Sequence, residues 1–218
     1  MNPKSPFSGL GFVVVLGSSW GLAEAGLGLA LESCARLVSG SVMTGVALFF
    51  LVAARLRTKD VRGPLLAVLF AAAFKLFDAA LLGLPVRDRA VANPLFAFAV
   101  EGLAVVLLFR LFGRRAETRP SARYLLGGTT ALAAAVMSPA IKMVTGIPAC
   151  VLPGTSLPLS LVFSPVAVVL GALAVPLAWR FAAWAEAKPL LRGSAAARFV
   201  PAAATLAALL AVAVLRLV

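Results

Sequence analysis

The chain has 218 residues, 62% of them hydrophobic and 13% charged, with a mean hydropathy of +1.04. Soluble domains run roughly 45–50% apolar and about 25% charged, so the composition excludes a water-soluble globule and points to the bilayer. The formal charge of +12 does not indicate nucleic acid, because the basic residues sit in short loops between apolar segments, where they set topology and meet anionic lipid headgroups.

At about 20 apolar residues per crossing, the length admits six or seven helices. The expected fold is therefore all-α: a polytopic transmembrane helical bundle forming one integral membrane domain over 1–218. No separate soluble domain fits.

After a short polar lead, helix one is expected from Gly9 to Leu31. Its Ala23-Glu24-Ala25 imitates a signal-peptide cleavage site, but the apolar run continues to Leu31, so an uncleaved helix is expected. Gly17, Gly21, Glu24 and Gly28 lie along one stripe at 100° per residue. Such a stripe admits a close helix neighbour and aims Glu24 into the interface. Trp20, one turn earlier, is placed to wall a pocket.

Helix two is expected from Leu37 to Ala54 and is followed by Arg55, Arg57, Lys59 and Arg62. The short connection makes it an antiparallel neighbour of helix one. Helix three is expected from Pro64 to Leu84, stopped by Gly83 and Pro85. It carries Lys75 and Asp78, which at i and i+3 can pair along one face.

Helix four is expected to start at Asn93-Pro94, where proline suits a first turn, and to end near Phe112. Glu101 lies seven residues after Pro94, on nearly the same face, with Asn93 at the mouth. Helix five is expected from Tyr124 to Val144. The uncharged Pro/Gly-rich stretch from Gly146 to Pro158 reads as an outer lid rather than a re-entrant segment. Helix six, from Leu159 to Trp184, contains Pro165 and Pro176 as expected kinks. Helix seven, from Phe199 to Leu215, has Pro201 in its first turn.

Charge asymmetry gives the orientation. With the N-terminus in the cytoplasm, Lys4 and the basic groups at 55–62, 110–123 and 180–198 share one side, fourteen residues in all. Arg36, Arg87, Arg89 and Arg216 fall on the other. Seven crossings satisfy this bias, whereas six would require losing a segment; an extra dip at 146–165 would change the count. The expected location is a bacterial-type inner (cell) membrane, multi-pass, with the N-terminus cytoplasmic.

An ionisable side chain near a bilayer centre costs about 2.5–3.5 kcal/mol on insertion scales, so chains seldom keep one without a task or a partner. Glu24, Lys75, Asp78, Glu101 and Lys142 are expected to surround a cavity opening outward. If Lys75 pairs with Asp78, then Glu24 and Glu101 have no evident cation; they are either protonated or matched by something that enters. Three acids against two bases favour a cationic or zwitterionic molecule. The candidate substrate-binding set is Trp20, Glu24, Lys75, Asp78, Asn93 and Glu101. The first four helices are expected to carry the chemistry and the rest the packing.

The chain has no histidine and only two cysteines, Cys34 and Cys150. Histidine-based zinc sites, His-dependent hydrolysis and C-x-x-C redox chemistry are thereby excluded. Gly17-Ser18-Ser19 is too short and common to mark a nucleophile. No enzyme activity, catalytic residue, metal or cofactor is expected. The two cysteines both fall on the outer side and are expected to be free and buried rather than joined.

The expected function is binding and translocation of a small polar solute, alone or as the substrate-binding membrane subunit of a larger transporter. The alternative is a non-catalytic anchor or assembly subunit of a multiprotein complex. Expected partners are the lipid bilayer, the small-molecule solute and, in the subunit reading, other membrane or ATPase subunits. The general architecture resembles the small solute-capturing subunits of energy-coupled vitamin transporters. Those have six helices, and no motif of theirs is matched here residue by residue.

Overall fold

The computed structural model describes residues 9–34 (side chains through Gly28), 38–146, 150–187 and 199–217. Seven helices are long and apolar enough to cross a membrane, which makes the chain an all-α, multi-pass membrane protein. They are α1 (Gly9–Cys34), α2 (Ser39–Thr58), α3 (Arg62–Leu81), α4 (Arg89–Thr118), α5 (Pro120–Met137), α6 (Ser164–Ala187) and α7 (Val200–Leu217). A 3₁₀ turn at Ser138–Ala140 and a short helix at Ile141–Thr145 extend α5.

Local signals set most of the ends. The Leu84 amide bonds the Ala79 carbonyl at 2.9 Å and the Gly83 amide bonds that of Ala80 at 3.2 Å. Gly83 sits at φ +64°, so α3 closes in a Schellman turn, as its glycine predicts. Between α4 and α5 only Arg119 is non-helical, extended ahead of Pro120 at the first turn of α5, as a residue preceding proline prefers.

Several expected bounds require correction: α2 runs on to Thr58 past Ala54, and α4 to Thr118 past Phe112, so both helices continue into their basic residues. Helix four begins at Arg89 and not at Pro94, because the Asp88 carboxylate caps it by accepting from the Ala90 amide at 2.8 Å. That cap satisfies an otherwise orphaned donor, and Pro94 is left inside the helix. Helix six is broken at Phe163, between a single turn at Leu159–Val162 and α6. Pro165 thus stands in the first turn of α6, while Pro176 lies within it.

The centre of the bundle is α2, which packs against α1, α3, α4, α5 and α6. Its Leu48, Leu51, Val52, Ala53 and Ala54 are fully or almost fully buried, joined by Val13, Leu16 and Trp20 of α1 and Val175 of α6. A lipid-embedded bundle gains little from apolar burial alone, so close backbone approach matters more. On α1, a Cβ at Gly17 would stand 2.6 Å from the Phe70 Cβ, and one at Gly21 would collide with Phe74. The glycine stripe therefore draws α1 onto α3. Gly28, at the end of that stripe, meets nothing within 4 Å.

α7 is peripheral and rests on α1 and α3. A small separate core of Ala25, Phe74, Ala208 and Val212 seats it.

One end of the bundle is basic and aromatic. Arg57 lies over Phe12 and Arg123 over Trp179, at 5.3 and 5.0 Å from the ring centroids. Arg57 also meets Glu186 at 3.8 Å. Cation–π contact of this kind holds a guanidinium at the polar rim of an apolar bundle.

Candidate functional site

The interior charges gather near the opposite end, where α3 packs on α1, α4 and α7. Gly17 and Gly21 set the α1–α3 spacing, and Glu24 follows on the same stripe, within electrostatic range of Lys75 and Asp78. Asp78 is 2% exposed. Lys75 Nζ stands 3.6 Å from its Oδ2, the pairing that an i, i+3 spacing allows.

Asp78 has a second and closer partner. Arg216 of α7 donates from Nε to Oδ1 at 2.6 Å and from Nη2 to Oδ2 at 3.0 Å. This bidentate geometry is the strong form of a carboxylate–guanidinium pair. The sequence places Arg216 on the outer side, just past the expected end of helix seven at Leu215; the structure places it inside the last turn of α7 with its side chain largely covered. Of the five charges named from the sequence, Lys75 and Asp78 pair, Glu24 lies within electrostatic range of both, and Glu101 lies within range of Glu24, while the second base of the group is Arg216 and not Lys142. Lys142 is exposed on the short helix beyond α5, which packs on α4.

Glu101 of α4 is 4% exposed. The Thr44 side chain of α2 lies beside its carboxyl, and Glu24 is within electrostatic range. Between α1 and α4, Trp20 is fully buried and meets Phe98 edge-on, their centroids 4.8 Å apart. Trp20 Nε1 has no hydrogen-bond partner in the protein. Tryptophan and phenylalanine therefore form an apolar partition next to the two glutamates.

Asn93 does not join this group. It lines a separate small pocket with Phe96, Ile141, Cys150 and Ser160. The physical reason is helical phase: Asn93 and Glu101 are eight residues apart, which at 100° per residue turns them about 80° from each other. Cys150 is free but exposed rather than buried, because it opens a surface hairpin. Cys34, the other half of the cysteine expectation, lies outside the described side chains.

No family model, curated protein or solved structure matches this chain.

The geometry is thus what speaks about chemistry. Both interior cations, Lys75 and Arg216, serve Asp78. Among the described residues, neither Glu24 nor Glu101 has a cation within salt-bridge distance, and no three Asp, Glu or Cys side chains converge as a metal would require. A carboxyl in an apolar interior is stable only as the neutral acid or with a cation brought to it. The division of labour expected between the helices also changes: α7 supplies Arg216 and, through Thr205, a 2.8 Å hydrogen bond to Ser18 of α1. Arg216 is the one charge in its apolar helix, but nothing in the sequence marks it as the partner of Asp78.

Proposed function

We propose that this membrane protein binds a small cationic or zwitterionic solute at Glu24 and Glu101 and carries it across the bilayer, alone or as the binding subunit of a larger transporter. The observation that supports this is the distribution of charge: both interior cations are committed to Asp78, while two carboxyls stand without one. Trp20 and Phe98 offer aromatic faces beside them, which suit an organic cation. Trp20 and Phe98 are buried and packed edge-on between α1 and α4, so in this reading transport requires α1 and α4 to part. In this reading the basic end faces the cytoplasm of a bacterial-type inner membrane.

The test is uptake of labelled small organic cations and zwitterions into vesicles containing the full chain. Glu24→Gln and Glu101→Gln should each abolish uptake while the thermal unfolding transition persists. Undiminished uptake in both variants, or no uptake of any probe by the parent protein, would sink the proposal.

A second reading, an anchor or assembly subunit, is favoured by one observation, the clamp of two cations on Asp78, which is what a purely structural charge cluster looks like. In that case the glutamine variants shift thermal stability and leave every solute measurement flat.

A further inference from the structure

Away from the charged cluster, the start of α4, the extension of α5 and the hairpin that follows enclose a pocket of about 100 Å³. Its polar wall is Asn93, Ser138, Cys150 and Ser160, and its apolar walls include Phe96 and Ile141. A single water needs roughly 10–15 Å³ by this measure, so the space accommodates a molecule of several heavy atoms.

Two of the polar atoms, Asn93 Oδ1 and Ser160 Oγ, are buried with no hydrogen-bond partner in the protein. The other end of the Asn93 amide makes only a long contact, Nδ2 to Cys150 Sγ at 3.8 Å. Buried polar atoms are nearly always satisfied, and two orphans on one pocket wall point to a ligand that satisfies them. The wall carries no ionisable side chain other than the Cys150 thiol. A charged ligand would be left uncompensated there.

The roof is built in advance. The Leu159 amide bonds the Cys150 carbonyl and the Leu152 amide bonds that of Leu157, both at 2.9 Å, and Val151 bridges Pro158. Small-molecule sites are commonly pre-formed in this way, mostly apolar with a few placed polar groups.

We propose that this roofed pocket is a binding site, separate from the carboxylate cluster, for a small uncharged molecule bearing an amide or hydroxyl groups. Asn93 and Ser160 are its hydrogen-bonding residues. The inference does not depend on the transport reading.

Cys150 borders the pocket and supplies the readout. In the full chain carrying Cys34→Ser, Cys150 is the only thiol, and its alkylation by N-ethylmaleimide is timed with acetamide, glycerol or tetramethylammonium present. Acetamide or glycerol should slow the reaction saturably and tetramethylammonium should not. Asn93→Leu and Ser160→Ala should each raise the half-protecting concentration about tenfold, the worth of one lost hydrogen bond. Ser160→Ala removes only a hydroxyl, and an unchanged melting transition establishes that it folds. The proposal is overturned if neither neutral probe protects, if tetramethylammonium protects equally, or if both variants are protected as well as the parent.

Discussion

Arg216 and Asp78, 138 residues apart in sequence, grip each other through two hydrogen bonds of 2.6 and 3.0 Å, between the last turn of α7 and the last turn of α3. Besides the Ser18–Thr205 bond, this is the polar tie that fixes α7, whose remaining seat is the small apolar core on α1 and α3. The tie and the seat lie on the same side of α1 as Glu24. The Asp78–Arg216 contact therefore bears both on the seating of α7 and on the charge near Glu24.

Removing one partner of that contact strands a buried charge. Asp78→Asn or Arg216→Met should each lower stability by about 3–5 kcal/mol. The double variant should cost less than the sum of the two, by about 1–3 kcal/mol, because the Arg216 charge is then gone together with its carboxylate and only Lys75 is left without a partner. Lys75→Met should cost less than Arg216→Met, since Lys75 makes one contact at 3.6 Å. Thermal unfolding of the parent and the four variants in the same detergent checks this; strictly additive losses would mean that the pair is not coupled.

The α1–α3 approach requires glycine at Gly21, where a Cβ would collide with Phe74, but not at Gly28, where nothing lies within 4 Å. Gly21→Ala should destabilise by about 1–3 kcal/mol through forced repacking. Gly28→Ala should be neutral or stabilising by up to about 1 kcal/mol, the helix preference of alanine. The same unfolding assay separates them, and equal effects at the two positions would contradict the packing described.

Trp20 is held by shape and not by hydrogen bonding, since its Nε1 is buried without a partner in the protein. Trp20→Phe should therefore be nearly neutral, removing an unsatisfied donor as it removes volume. Trp20→Ala should cost about 3–5 kcal/mol by opening a cavity against Phe98. A large loss in the phenylalanine variant would show that the indole nitrogen has a partner after all.

Topology is open to a direct check. In a background with Cys34→Ser and Cys150→Ser, Ser121→Cys probes the basic end and Val86→Cys the opposite end, both exposed positions. An impermeant maleimide applied to intact cells should label position 86 and leave 121 unlabelled until the membrane is broken. The reverse pattern would invert the orientation that the charge asymmetry gives.

What could be read from the residues alone follows how local each feature is. Seven apolar runs, the basic clusters between them and the Gly83 stop are decided within a few residues, so helix number and most ends are legible. The Lys75–Asp78 pair is legible for the same reason, being three residues apart on one helix. The start of α4 was obscured by competition: Pro94 is a good first-turn residue, but the Asp88 cap lies earlier and prevails.

Sequence by itself determined that this chain belongs in a membrane, how often its helices can cross it, and that carboxyls and amines are retained where charge is costly. Only the tertiary structure decided that Arg216, rather than Lys142, completes the charged group, and that Asn93 turns away to a pocket of its own. The reason is that helix formation depends on neighbours along the chain, whereas the partner of a buried charge depends on which helices are adjacent and how each is rotated. Those rotations are set by contacts such as Gly21 on Phe74 and Ala208 and Val212 on Ala25, whose members are distant in sequence and carry no mark of one another.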